Sequence, residues 1–239
     1  MNNLELTKLT LTDGFIGKLQ EKTISHLFKH CYIQIGNIKI NPIEIEVYYF
    51  EEGVLEDDSV HKNELQKNNK NHFYIHRFGK GKNNKYKGRA GIDFVWSNKD
   101  NQYYTWLLRS VTLEKGEEKT TVVGPNKTLM AIKEWTNLSN EELESAKLEL
   151  KYESAINENY PIFTSERIGL VNDSAIFKFA PLRFVTAKSD YHQHKFKLMS
   201  KMVINFCQKI YNANAVDKAY CLGLCDKYLK YKPKEIKEL

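Results

Sequence analysis

Ile43-Glu44-Ile45-Glu46-Val47-Tyr48-Tyr49-Phe50 is the stretch from which the fold of this chain is read. Its β-branched and aromatic residues alternate with carboxylates, the pattern of a strand. A period of two puts Ile43, Ile45, Val47 and Tyr49 on one face and Glu44, Glu46, Tyr48 and Phe50 on the other. Glu46 and Tyr48, two apart, therefore project into the same space. A carboxylate beside an aromatic ring suits a reactive pocket, and a solvated strand face gives the same spacing, so the pattern leaves both open.

Outward from this strand, Tyr32 to Ile40 alternates around Gly36 and predicts a hairpin. Phe73 to Phe78, Gly91 to Ser97 and Tyr103 to Val111 predict further strands. Asp13 caps an expected helix reaching about Lys29. Ser139 with Glu142 forms a capping-box pattern for a helix over about Asn140 to Leu150. Ile162 to Phe184 reads as loops with short strands, and His192–Asn212 and Ala215–Leu229 as amphipathic helices. The expected architecture is a single α+β domain over residues 1–239, with a helical extension from about residue 190.

The chain has 239 residues, 41% of them apolar, enough for one sizeable core. No apolar run approaches the roughly 20 residues of a membrane helix, and no basic stretch followed by an apolar run opens the sequence, so a cytoplasmic protein without a membrane partner is expected. Four cysteines without finger-like His/Cys spacing predict reduced thiols and no metal. Cys221 with Cys225, and His26 with His30, stand at helical i, i+4 spacing and read as helix faces. The net charge is +6. Arg77, Lys80, Lys82, Lys85, Lys87 and Arg89 follow one another with no acid between them, interleaved with Phe78, Tyr86 and three glycines. A glycine-rich basic loop with aromatics suits a phosphate backbone, and a solvated loop would have the same composition.

Further short segments match one known family in order. Ile43 to Tyr48 is similar to an Ile-Val-Glu-Thr-Glu-Ala-Tyr strand. Asp57-Asp58-Ser59-Val60-His61 is similar to Asp-x-Ala-x-His, and Lys70-Asn71 to Arg-Asn. Gly91-Ile92-Asp93-Phe94-Val95 matches a strand with a central asparagine, and Trp106-Leu107-Leu108-Arg109-Ser110 a Val-Leu-Leu-Arg-Ala strand. Gly124-Pro125-Asn126-Lys127-Thr128-Leu129 resembles Gly-Pro-x-Lys-Leu. Arg167-Ile168-Gly169-Leu170 and Pro181-Leu182-Arg183-Phe184 resemble Arg-Ile-Gly-Ile and Pro-Trp-Arg-Phe. These are segments of the alkyladenine (3-methyladenine) DNA glycosylases, and their shared order over residues 43–184 carries the resemblance.

The resemblance implies a curved antiparallel sheet with flanking helices and a monomeric, cofactor-free enzyme. Such an enzyme flips a modified base out of duplex DNA, hydrolyses its glycosidic bond and leaves an abasic site. It makes Glu46 the general base. Tyr48, His61, Asp93 and Arg109 become base-binding residues, Tyr86 a wedge entering the duplex, and Arg77, Lys85, Lys87, Arg89 and Lys127 DNA contacts. Val47 replaces the family's alanine and Asp93 its asparagine. The third aromatic of the base cage has no clear counterpart: register places Asn83 there, with Tyr74, His76 and Phe50 nearby. An ionised aspartate only accepts hydrogen bonds, so the departures predict a larger, donor-bearing base. The alternatives are a glycosylase of the same fold acting on bulky hypermodified bases of foreign DNA, and a non-catalytic nucleic-acid-binding module.

Overall fold

A computed structural model describes Leu27, residues 30–67, 69–153, 162–165 and 167–170, Phe177 and residues 182–186. The expected helix before residue 30 and both C-terminal helices lie largely or wholly outside the described residues. Two long strands organise the fold, β2 (Ile38–Glu51) and β6 (Gln102–Lys115), paired antiparallel along nearly their whole length. The other edge of β2 is shared in turn by β1 (Cys31–Ile35), β10 (Arg183–Thr186) and β3 (Leu55–Glu56). The other edge of β6 is shared by β5 (Ile92–Val95) and β7 (Glu118–Val123), and β5 pairs with β4 (Phe73–Ile75). With β8 (Glu149–Tyr152) on β1 and β9 (Ile162–Ser165) on β10, the described strands form one ten-stranded, antiparallel, curled sheet. Two helices accompany it, α1 (Pro125–Thr136) and α2 (Asn140–Ser145). The molecule is thus a mixed α and β protein. No helix among the described residues is long and apolar enough to cross a membrane.

The hairpin read from Gly36 is present: Ile35 pairs with Ile38, and Gly36 takes a left-handed φ of 56° in the turn. Strand β2 then runs through Pro42 without a break. Proline has no N–H to give a ladder, and the register of β2 against β6 shifts at this point, between Pro42 and Ile45. Beyond the irregularity Ile45 and Val47 enter the core with Phe94, Trp106 and Leu108, where Leu129 and Ile132 of α1 and Leu143 of α2 join them. Glu44 and Glu46 are buried as well, so the polar face of β2 is covered rather than solvated.

The helix expected to reach Leu150 ends at Ser145. Its N-terminus is capped as expected, Ser139 Oγ accepting from the Glu142 N–H and the Glu142 carboxylate from the Ser139 N–H. What stops it is strand β8. Leu148, Leu150 and Tyr152 alternate with Lys147, Glu149 and Lys151, a period of two, and the edge of β1 offers backbone groups to pair with.

Candidate active site

Glu46 stands in the middle of β2, opposite Leu107 of β6 and Arg183 of β10, and its side chain is 0% exposed. A bare carboxylate there would cost several kcal/mol in lost hydration, and the surroundings supply the compensation. Oε1 accepts the backbone N–H of Ile168 at 2.8 Å and lies 3.0 Å from Arg109 Nη1. Oε2 accepts the Tyr48 hydroxyl at 2.9 Å. A carboxylate offers about four lone-pair sites, so one on Oε2 is left for a further donor.

Arg109 is positioned by the neighbouring carboxylate, Glu44. Glu44 Oε1 accepts from Arg109 Nε at 3.0 Å and from Arg183 Nε at 2.6 Å, and Oε2 from Ser110 Oγ at 2.8 Å. Two carboxylates and two guanidiniums therefore balance in the buried cluster. Burial works against the charge on Arg109, but Glu46 and Glu44 outweigh it and push its pKa up.

The Tyr48 hydroxyl is held as a phenol, its pKa pushed well up by burial and then by the Glu46 charge. Its ring lies under the Arg167 guanidinium, 4.5 Å from the centroid. Arg167 in turn holds both oxygens of Asp57, at 2.5 and 3.1 Å, with Ser59 Oγ at 2.9 Å and the Val47 carbonyl at 3.0 Å. This fork ties the segment before His61 to the segment that brings Ile168 over Glu46.

Glu46, Tyr48, His61, Asp93 and Arg109 all line one cavity of about 250 Å³, with Arg89 and Ile168 also in its wall. His61 is fixed at both nitrogens: Lys87 Nζ lies 3.1 Å from Nε2, and Nδ1 is 3.1 Å from the Tyr74 hydroxyl. An ammonium only donates, so Nε2 accepts and Nδ1–H donates to Tyr74. The ring is neutral, since burial, helped by His76 and Lys87, pushes its pKa down to about 4. Asp93 is buried and accepts from three side chains. His76 Nε2 meets Oδ1 at 2.7 Å, and Oδ2 accepts from Thr105 Oγ1 at 2.9 Å and Gln66 Nε2 at 3.3 Å.

The basic loop divides. Lys80, Lys82, Lys85 and Arg89 are exposed, and Lys127 is exposed near the start of α1. Lys87 is half-buried against His61. Arg77, expected at the DNA surface, is 7% exposed. Its guanidinium pairs with Glu144, donates to the Tyr86 hydroxyl at 2.6 Å and the Asn84 carbonyl at 3.0 Å, and covers the Tyr86 ring at 3.8 Å. Tyr86, expected as a wedge, also donates to Glu144 at 2.9 Å. Both side chains anchor the loop. The aromatic it presents to solvent is Phe78, 57% exposed. Asn83 is exposed in the loop, and His76 and Tyr74 stand beside His61 instead, with ring centroids 4.6 and 6.1 Å from it.

Sequence reasoning missed Gln66. Its signal was Asn63-x-x-Gln66, a capping pattern for the short turn Glu64–Gln66, in which the Gln66 Oε1 accepts the Asn63 N–H at 3.0 Å. Among the described residues no group of three or more His, Cys, Asp or Glu side chains is placed to hold a metal ion. No family model matches the chain, and no curated protein matches it.

Proposed function

We propose that this protein is a monofunctional DNA glycosylase related to the alkyladenine glycosylases, with Glu46 as the group that deprotonates the attacking water. The observation that carries the reading is the Glu46 carboxylate, buried in a base-sized cavity with a lone pair of Oε2 unused and Arg89 of the basic loop in its wall. As water approaches C1′, the carboxylate takes its proton and its charge favours the developing oxocarbenium ion. The glycosidic electron pair leaves with the base, and the sugar keeps the hydroxyl. Arg109 and the Ile168 N–H hold Glu46 in orientation, and Tyr48 offers the ring face not covered by Arg167.

Lys80, Lys82, Lys85 and Arg89 supply the phosphate contacts, and Phe78 fills the gap left by the extruded nucleotide. Inserting an apolar ring between base steps offsets the few kcal/mol of unstacking. A cavity of about 250 Å³ lies below the roughly 300–1,000 Å³ of sites for drug-sized ligands. That size suits one heteroaromatic ring system and argues against a base carrying a sugar. The reading is tested by incubating the protein with duplexes that each hold one modified base, then cleaving abasic sites with alkali. Strand cleavage at one or more modified bases is expected. Tight DNA binding with no cleavage across the panel would favour a binding module instead.

A further inference from the structure

Across the sheet from Glu46, one strand beyond Leu107, the cavity wall contains a hydrogen-bond relay whose direction is fixed by its far end. Gln66 cannot turn its amide, because Oε1 already accepts the Asn63 N–H at 3.0 Å, so Nε2 points at Asp93 Oδ2. Thr105 donates to the same oxygen. Oδ1 then accepts from His76 Nε2 at 2.7 Å. In the neutral ring this places the single proton on Nε2 and leaves Nδ1 as an acceptor. No described residue hydrogen-bonds to His76 Nδ1, whereas both nitrogens of His61 are occupied. Gly91 lets His76 and Leu107 pack close to the backbone, since a Cβ there would lie 3.3 Å from Nδ1 and 2.6 Å from Leu107 Cδ1. His76 and Gly91 both face the cavity.

We infer that His76 is the specificity-determining residue of the site: in the Nε2–H tautomer that Asp93 selects, its Nδ1 accepts a hydrogen bond from an amino group on the extruded base. The inference rests on the glycosylase reading and narrows it to amino-bearing bases over their oxo counterparts. A base that presents a carbonyl at that position sets two acceptors against each other, which a buried site rejects strongly.

Asp93→Asn tests the direction of the relay. Gln66 and Thr105 require an acceptor at the Oδ2 position, so the new amide turns its oxygen there and its NH2 toward His76. Nε2 then accepts, the proton moves to Nδ1, and the site presents a donor. Two substrate pairs read this out in duplex DNA, 5-hydroxycytosine with 5-hydroxyuracil and 7-methyladenine with 7-methylhypoxanthine, each differing by one amino-for-oxo exchange. Dividing the variant's rate ratio by that of the wild type cancels intrinsic leaving-group differences. A shift of about tenfold or more toward the oxo member is expected for Asp93→Asn. For His76→Ala, which leaves the Gln66–Thr105 anchor untouched, the expected result is a loss of amino preference without inversion.

Nitrogen-15 spectra of labelled histidine give a readout that does not depend on turnover. The wild type should show the Nε2–H tautomer at His76, and Asp93→Asn the Nδ1–H tautomer. A wild-type ring protonated on Nδ1, or rate ratios unchanged within about twofold in both variants, overturns the inference while leaving a glycosylase in place. Excision of other lesions but of neither amino-bearing member does the same. No excision of any lesion overturns the glycosylase reading, and this inference with it.

Discussion

Replacing His61 with glutamine should remove a specific acid sensitivity of the fold. The His61 ring is packed against His76, receives a proton from Lys87 at Nε2 and gives one to Tyr74 from Nδ1, so an added proton has no acceptor to meet. Its pKa in the folded protein is about 4, against about 6.5 for a free histidine. The sign follows from proton uptake. Between these two values the unfolded chain binds a proton that the folded protein refuses, so stability is full above about pH 6.5 and is lost as pH falls toward 4. Each unit of difference is worth about 1.4 kcal/mol, so the whole window amounts to about 3 kcal/mol. Urea midpoints of wild type and His61→Gln, measured from pH 7.5 to 4.5, isolate the contribution, because carboxylate titrations are common to both. The wild type should lose stability more steeply below pH 6.5, and the gap between the two proteins should narrow as pH falls. Parallel curves through that window would refute the buried neutral imidazole.

Glu144→Ala leaves the Arg77 guanidinium buried without its partner and should cost about 3–5 kcal/mol, lowering Tm by roughly 6–20 °C, as read by calorimetry. Phe78→Ala should reduce excision from duplex DNA about tenfold or more while sparing a single-stranded substrate, since only the duplex leaves a gap to fill; equal losses on both substrates would remove the wedge. Neutralising Lys80, Lys82 and Lys85 should flatten the slope of log affinity against log salt by about one unit for each phosphate no longer neutralised, and an unchanged slope would place the DNA surface elsewhere.

The alternation in Ile43–Phe50, the turn at Gly36 and the Ser139–Glu142 cap were legible because each is a local pattern with a local cause. Glu46, Tyr48, His61, Asp93 and Arg109, singled out in the sequence as the catalytic and base-binding residues, line the same cavity, although they come from β2, β5, β6 and the loop before Glu64. Less was visible where a distant partner decides. Arg77 and Tyr86 read as surface residues because their loop contains no acid, yet Glu144 from α2 supplies one and draws both inward. Glu44 and Glu46 read as a polar face, and only the arrival of Arg109 and Arg183 allows that face to be buried. Asp93 read as an acceptor facing the base, and only the structure shows that it also accepts from His76, Thr105 and Gln66. Helix α2 was overextended because a charged, leucine-containing stretch satisfies both helical and strand periods until the edge of β1 is known.

Single-turnover excision by Glu46→Gln, on whichever modified base the wild type removes fastest, decides whether this carboxylate activates the water. Glutamine keeps the size of the side chain and an oxygen for the Ile168 N–H, but it cannot take a proton from water. The rate should fall by about 10²–10⁴-fold, with affinity for the same duplex kept within about tenfold. Excision within a few-fold of wild type would contradict that role.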